Sequence, residues 1–147
     1  MSQTRQLAAQ YREATGQSLP VTVELARFDA TTLLGLKEIE GAESEALLIE
    51  GVHEKLVQIK GRVIFPGTRS QPRVGQLNIK SDWDYTVLVI YNPHYQPQSI
   101  YQVSREAVEK AMQEANNNKR GSMTVAKFKA IGQLIWEQES SESESAQ

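Results

Sequence analysis

The sequence contains no cysteine among its 147 residues, which excludes disulfide bonds, thiolate metal sites and a cysteine nucleophile. Both glycine-rich phosphate-binding patterns, GxGxxG and GxxxxGK[ST], are also absent, which excludes a dinucleotide-binding turn and a P-loop. No apolar run approaches the length of a membrane span, and the N-terminal residues lack the apolar core of a signal peptide. We therefore expect a protein without membrane contact that is located in the cytoplasm.

The chain also lacks an excess of either charge, since 16 basic and 18 acidic residues give a formal net charge of −2. Residues 137–147, EQESSESESAQ, hold four of the acidic residues and almost no apolar side chain. Such a segment buries too little surface to offset its ordering entropy, so we predict a disordered acidic tail after a single domain of residues 1–136. The rest of the chain is then slightly basic, which neither requires nor excludes nucleic acid.

The hydrophobic pattern predicts a mixed α/β domain with a central sheet of four or five strands flanked by helices. A helix over residues 2–15 has its apolar stripe at Leu7, Ala8, Tyr11 and Ala14. The later predicted elements are a helix over about 21–36, a loop over 38–45, strands at 46–50, 55–60, 62–65, 85–91 and 99–103, and helices over about 105–115 and 124–136. A short turn between the strands at 46–50 and 55–60 indicates a hairpin.

The hairpin carries the residues with the clearest chemistry. On its second strand Gln58 and Lys60 share one face, while Val57 and Ile59 share the other. Glu45 opens the first strand, and alternation alone leaves open which face it shares. An alternative interpretation is that Gln58 and Lys60 are simply the solvated face of an edge strand.

The residue types at this hairpin fit metal-assisted phosphodiester cleavage. A carboxylate and an amide oxygen are ligands that Mg²⁺ accepts, so Glu45 and Gln58 are the candidate metal ligands. Lys60 would orient or deprotonate the attacking water or neutralise developing charge, and Glu24 on the second helix would add negative charge nearby.

Two groups of basic residues are candidate phosphate contacts. The first, Arg62, Arg69, Arg73 and Lys80, lies in or beside the longest predicted loop, residues 66–84. The second consists of Lys119, Arg120, Lys127 and Lys129. In both cases the alternative is ordinary solvated charge. The histidines, His53 and His94, have no partners at metal-site spacing, and we expect both in exposed turns.

The strand pair resembles the PD-(D/E)xK, or restriction-endonuclease-like, superfamily, in which an acid precedes a hairpin whose second strand carries (D/E/Q)-x-K. Gln58-Ile59-Lys60 resembles the Mrr-type variant of that motif. Longer segments are similar to small uncharacterised bacterial members, so that the resemblance covers roughly residues 18–136. These segments are LPVTVELARFDATTLLGL, SEALLIEG, DWDYTVLVIYNPHYQPQSIYQVSREAV and KRGSMTVAKFKAIG.

This resemblance implies an αβββαβ core and Mg²⁺- or Mn²⁺-dependent hydrolysis of DNA. Glu45 stands where the family has Asp, and Glu24 falls on a Glu of the leading helix. The implied roles are metal binding by Glu45 and Gln58, activation of water by Lys60, and support by Glu24. Contacts to the DNA backbone fall to the basic residues Arg62, Arg69, Arg73 and Lys80. Many nucleases of this fold cut two strands as homodimers, so a homodimer is an assembly that the resemblance allows.

Two departures from the family pattern keep other functions open. Glu45 reaches one methylene further than Asp, and Gln58 is neutral, so the site has one charge fewer for a cation. Both favour a catalytically inactive nuclease-like domain that binds nucleic acid or a protein partner, because a fold alone does not assign a function. A structural subunit that docks on a larger complex is a further alternative.

Overall fold

The computed structural model describes residues 2–15, 21–42, 44–67, 71–114 and 123–139. The helices are α1 (Ser2–Thr15), α2 (Thr22–Leu34), α3 (Arg105–Glu114) and α4 (Val125–Ile131). The strands are β1 (Lys37–Glu38), β2 (Glu45–Glu50), β3 (His53–Val63), β4 (Arg73–Val74), β5 (Tyr85–Tyr91), β6 (Pro97–Ser104), β7 (Met123–Thr124) and β8 (Gln133–Glu137). Within these ranges, every helix is too short or too polar to cross a membrane.

The central sheet has six strands in the order β1-β2-β3-β5-β6-β8. Strands β3 and β5 run parallel, and every other neighbouring pair in this sheet is antiparallel. The predicted mixed α/β class is therefore confirmed, whereas the predicted number of four or five strands is wrong. The strand predicted at 62–65 continues the second hairpin strand as the end of β3. The additional strands are the two edges, β1 and β8, which the sequence pattern assigned to a loop and a helix.

Strand β8 replaces the second half of the helix predicted over residues 124–136. The helix ends at Ile131, and Gly132 has an extended backbone that leads into β8. A Cβ at position 132 would lie 2.7 Å from Cγ2 of Val103, so glycine permits the close approach to β6. Since Glu137 pairs with Ser99 of β6, the sheet includes the first residue of the predicted tail. Residues 140–147 of that tail lie outside the described residues.

Each face of the sheet has its own apolar core, because successive side chains of a strand point to opposite faces of the sheet. Val57, Ile59, Val87 and Val89 pack with buried residues of α1 and α2, on what we call the α2 face. Leu88, Ile90 and Val103 pack with α3 and α4 on the opposite α3 face.

A small second sheet lies over the α3 face, and its first strand falls inside the segment predicted as a long loop. It consists of β4 and β7, in which Val74 pairs with Met123. Both side chains are buried in the core on the α3 face. The long connection between β3 and β5 is thus packed on the sheet and borders the face that carries Gln58 and Lys60.

Candidate active site

The strand register places Glu45, Gln58 and Lys60 on one face of the sheet. Glu45 is the direct cross-strand partner of Gln58, and residues paired in this way point to the same side. Lys60 lies two residues beyond Gln58 and pairs with Leu88, a core residue of the α3 face. Glu45 therefore points to the same face of the sheet as Lys60, which the alternation of side chains alone left open.

Gln58 is held in one orientation by the neighbouring strand. The side chain is 5% exposed, and its Nε2 donates a 2.9 Å hydrogen bond to Oγ1 of Thr86, which is fully buried. With Nε2 engaged, Oε1 is the atom through which the amide would contact a cation. Sequence reasoning missed Thr86. Its signal is that it is the only residue with an aliphatic hydroxyl in the apolar run YTVLVIY.

Lys60 is half-buried beside this amide. Burial lowers the pKa of its ammonium group from the ordinary lysine value, because a low-dielectric environment disfavours the charged form. A larger fraction of the side chain is consequently the neutral amine at a given pH. That form is able to accept a proton from water, whereas an exposed lysine is almost wholly charged at neutral pH.

The loop before β5 is hydrogen-bonded to β3 at Leu56, two residues before Gln58. Asp84 accepts a 2.8 Å hydrogen bond from the Leu56 backbone N–H, and the Asp84 N–H donates to the Leu56 carbonyl. Arg105, the first residue of α3, donates from its guanidinium to the carbonyls of Ile79, Ser81 and Trp83. Sequence analysis gave Arg105 no role, because its partners are backbone atoms of a segment far away in sequence.

Glu24 lies in the layer on the opposite side of the sheet. It is an exposed residue of α2, and α2 packs against the α2 face so closely that a Cβ on Gly61 would lie 2.7 Å from Cβ of Ala26. The structure thus brings together three of the four predicted site residues, and the supporting role of Glu24 stays a prediction.

The predicted phosphate contacts distribute around the α3 face. Arg62 is exposed two residues beyond Lys60 on β3, Arg73 is exposed on β4, and Lys80 is exposed in the turn before β5. Arg69 lies outside the described residues. His53 and His94 are both exposed, as expected, and His94 lies in a turn, but His53 is the first residue of β3 and pairs with Glu50.

The donor set for a cation is small. In the described ranges, no three side chains among His, Cys, Asp and Glu are grouped so that they could hold a metal ion. The donors that the strand register places on the face of Lys60, beside it, are Glu45 and the Gln58 amide. Such a set matches Mg²⁺, which is commonly held by one or two carboxylates together with waters and substrate phosphates.

No protein-family model matches the chain, and no curated protein matches it.

Proposed function

We propose that this protein is a restriction-endonuclease-like enzyme that hydrolyses DNA phosphodiester bonds with a divalent cation, Mg²⁺ or Mn²⁺. The observation that carries the proposal is the shared facing of Glu45, Gln58 and Lys60 on adjacent strands. A carboxylate, an oriented amide and a lysine of lowered pKa form the constellation that this chemistry needs. The fold class supports the proposal, since the sheet is mixed and has helices on both faces.

The protein's share of the cation site would be the Glu45 carboxylate and the Gln58 amide oxygen. When bound, the cation would polarise the phosphodiester and stabilise negative charge on its oxygens. With one carboxylate in the set, affinity for the cation alone would be weak, and DNA phosphates would complete the ligand shell. Thr86 would preserve the ligand geometry by holding the amide of Gln58.

Lys60 would act on the attacking water. Its neutral amine would accept the water proton at Nζ as the water oxygen attacks phosphorus, and burial increases the fraction of that form. The P–O bond to one deoxyribose oxygen would break in the same displacement, and that oxygen would take its proton from solvent water. The resulting ammonium group would face the negative charge of the phosphate. Arg62, Arg73 and Lys80 would hold the DNA backbone by neutralising phosphates.

Cleavage of supercoiled plasmid and of single-stranded DNA with Mg²⁺ or Mn²⁺ tests the proposal. We expect Lys60→Ala to reduce the cleavage rate by about 10²-fold or more, because the proton acceptor is lost. Lys55→Ala is the matched control. Lys55 lies on the same strand, is also half-buried, and pairs with Leu48 on the α2 face. The Lys55→Ala variant should cleave DNA at the wild-type rate.

If the wild-type protein leaves the DNA intact with every cation tested, the enzymatic proposal is wrong. An equal loss of activity in Lys55→Ala and Lys60→Ala would also count against it, because the loss would then come from disturbance of strand β3 and not from the residues on its α3 face.

The Glu45→Gln variant should lose cleavage activity, and its residual activity should require a higher cation concentration than that of the wild type.

A second candidate function is DNA binding without cleavage. It is favoured by the neutral charge of Gln58 and by the lack of a three-acid group in the parts of the chain described. This function predicts salt-sensitive binding of DNA that no cation converts into cleavage. Binding and cleavage measured on the same sample decide between the two.

A further inference from the structure

The acidic and basic residues are strongly separated along the chain. Residues 55–81 and 115–136 together hold ten of the sixteen basic residues and none of the eighteen acidic ones. The net charge of −2 conceals this separation, because the acidic residues are concentrated elsewhere. Whether the two basic stretches form one surface depends on the fold.

The small sheet joins the two stretches. Arg73 of β4 is the direct partner of Thr124 of β7, and the next pair, Val74 with Met123, points into the core. Arg73 and Thr124 therefore point away from the core, on the outer side of the small sheet. A second link lies beside them, since the backbone N–H of Val125 donates to the carbonyl of Pro72 at 3.0 Å.

Helix α4 continues this surface. Oγ1 of Thr124 accepts a 3.1 Å hydrogen bond from the backbone N–H of Lys127, which places the first turn of the helix beside Arg73. Val125 and Phe128 are buried against the sheet, whereas Lys127 and Lys129 are exposed. The two lysines project from different sides of the helix, because residues i and i+2 are about 200° apart. Nζ of Lys129 lies 5.4 Å from the ring centroid of Tyr101 on β6, so Lys127 is the lysine that extends the surface of Arg73 and Thr124.

The small sheet also contacts the strand of the candidate active site. Strand β4 contacts β3, the strand that carries Lys60 and Arg62 on the α3 face. Exposed basic residues of β3, β4 and α4 therefore lie on elements that contact one another directly or through β7. We call these residues, Arg62, Arg73 and Lys127, the basic strip.

We propose that this basic strip is the surface along which the phosphate backbone of DNA runs into the Lys60 site. The inference rests on the proposed function and extends it, because it assigns a phosphate contact to Lys127, on a helix remote in sequence from the hairpin. A surface with basic side chains and no acidic residue in its own segments complements a polyanion. Contacts of this kind are to phosphates, so binding is independent of base sequence.

Binding of a fluorescent DNA duplex across a range of salt concentrations, in EDTA to prevent cleavage, tests the strip. We expect Arg73→Gln and Lys127→Gln each to weaken binding and to reduce the slope of log affinity against log salt by about 1. The double variant should reduce the slope by about 2. Lys110→Gln is the matched control, because Lys110 is an exposed helix lysine on α3, outside the strip. Circular dichroism would verify that each variant is folded.

The possible outcomes separate this inference from the proposed function. If the wild type cleaves DNA and the double variant binds like Lys110→Gln, the strip is wrong and the active site stands. If the double variant loses binding while no protein cleaves, the strip stands and the enzymatic proposal fails. If the wild type neither binds nor cleaves, both fail. Equal affinity for poly-glutamate and for DNA would identify an acidic protein as the partner and overturn the assignment to DNA.

Discussion

At the scale of single residues, a buried polar network fixes α1 and α2 to the sheet. Asp29 accepts hydrogen bonds from the Arg5 guanidinium and from the Tyr91 hydroxyl, the latter at 2.6 Å. Arg5 and Asp29 are only 8% and 4% exposed. Because each charge has its partner, the network avoids the large penalty of an unpaired buried ion.

Tyr91→Phe tests this network through the pH dependence of stability. Burial, and then the nearby Asp29 carboxylate, raise the pKa of Tyr91 well above its ordinary value of 10.0. The phenol therefore ionises near pH 10 in the unfolded chain but stays protonated in the native protein, so that rising pH above about 10 favours unfolding.

The stability of the Phe variant should not fall with rising pH above about 10 through this residue, because the ionisable phenol is gone. Near pH 7 its free energy of unfolding should be lower than that of the wild type by about 1.5–3 kcal/mol, the contribution of a hydrogen bond to a charged group. Urea unfolding between pH 7 and 11 measures both effects. Identical pH slopes for the two proteins above pH 10 would contradict the argument.

At this scale, sequence reasoning succeeded where the alternation of side chains along one strand is enough to decide which residues share a face of the sheet. It placed Gln58 and Lys60 on one face, and the structure confirms that placement. It could not supply the facing of Glu45 or the contact from Thr86, because both depend on strand register. For α1 it was right about Ala8, which is buried, but wrong about Leu7 and Tyr11, which are exposed. The other buried residue of the helix is Arg5, which gave no local signal because its partner, Asp29, is remote in sequence.

At the scale of elements, the contact between β3 and α2 is unusually close. A Cβ added to Gly61 would lie 2.7 Å from Cβ of Ala26 and 3.1 Å from Cγ2 of Thr22. Glycine is required here for the approach of a helix to a strand. Gly61 lies between Lys60 and Arg62 on β3. The same contact therefore sets the distance between α2 and the part of β3 that carries Lys60.

Gly61→Ala should therefore destabilise the protein by about 1–3 kcal/mol, because the helix has to move away from the strand. A second substitution, Ala26→Gly, removes the opposing methyl group and should recover part of that loss. Thermal unfolding of the single and double variants gives the coupling between the two positions. Strictly additive effects would show that the two Cβ positions do not compete for space.

The elements themselves were predicted well where they are long. The hairpin, the buried strand β5, strand β6 and the helix after it all follow from hydrophobic period and turn residues. The errors are at short edge elements. Leu134, Ile135 and Trp136 satisfy a helical pattern as readily as a strand, and only pairing with β6 made them β8. The two residues of β1 are too few to show any period.

At the scale of the whole molecule, the chain combines a basic strip with an acidic C-terminal sequence. The basic strip lies on and beside the α3 face, while the sequence after β8 adds acidic charge to the same chain. Because exposed charges interact over about 10 Å at 0.1 M salt, the acidic segment would lower the affinity of the strip for DNA mainly at low ionic strength.

A variant that ends at Gln138 tests this. It keeps β8 and the hydrogen bonds of Gln138 to Gln98, and it removes Glu139, Glu142 and Glu144. We expect a several-fold higher affinity for DNA at low salt and a difference that shrinks as salt rises. Replacing the three glutamates by glutamine in the full chain should reproduce the effect, since charge is the cause. Unchanged affinity in both variants would refute it.

The parallel pairing of β3 with β5 also has a consequence for the order in which the chain assembles. Glu45, Gln58 and Lys60 belong to one hairpin, which can form locally and early. The Thr86 hydroxyl that orients Gln58 lies 28 residues further on, and it reaches its partner only when the connection over residues 64–84 has closed. A nascent or partly folded chain would thus carry all three site residues before the amide of Gln58 is held in place. We therefore expect the Gln58 amide to become oriented late in folding, together with the long-range half of the sheet.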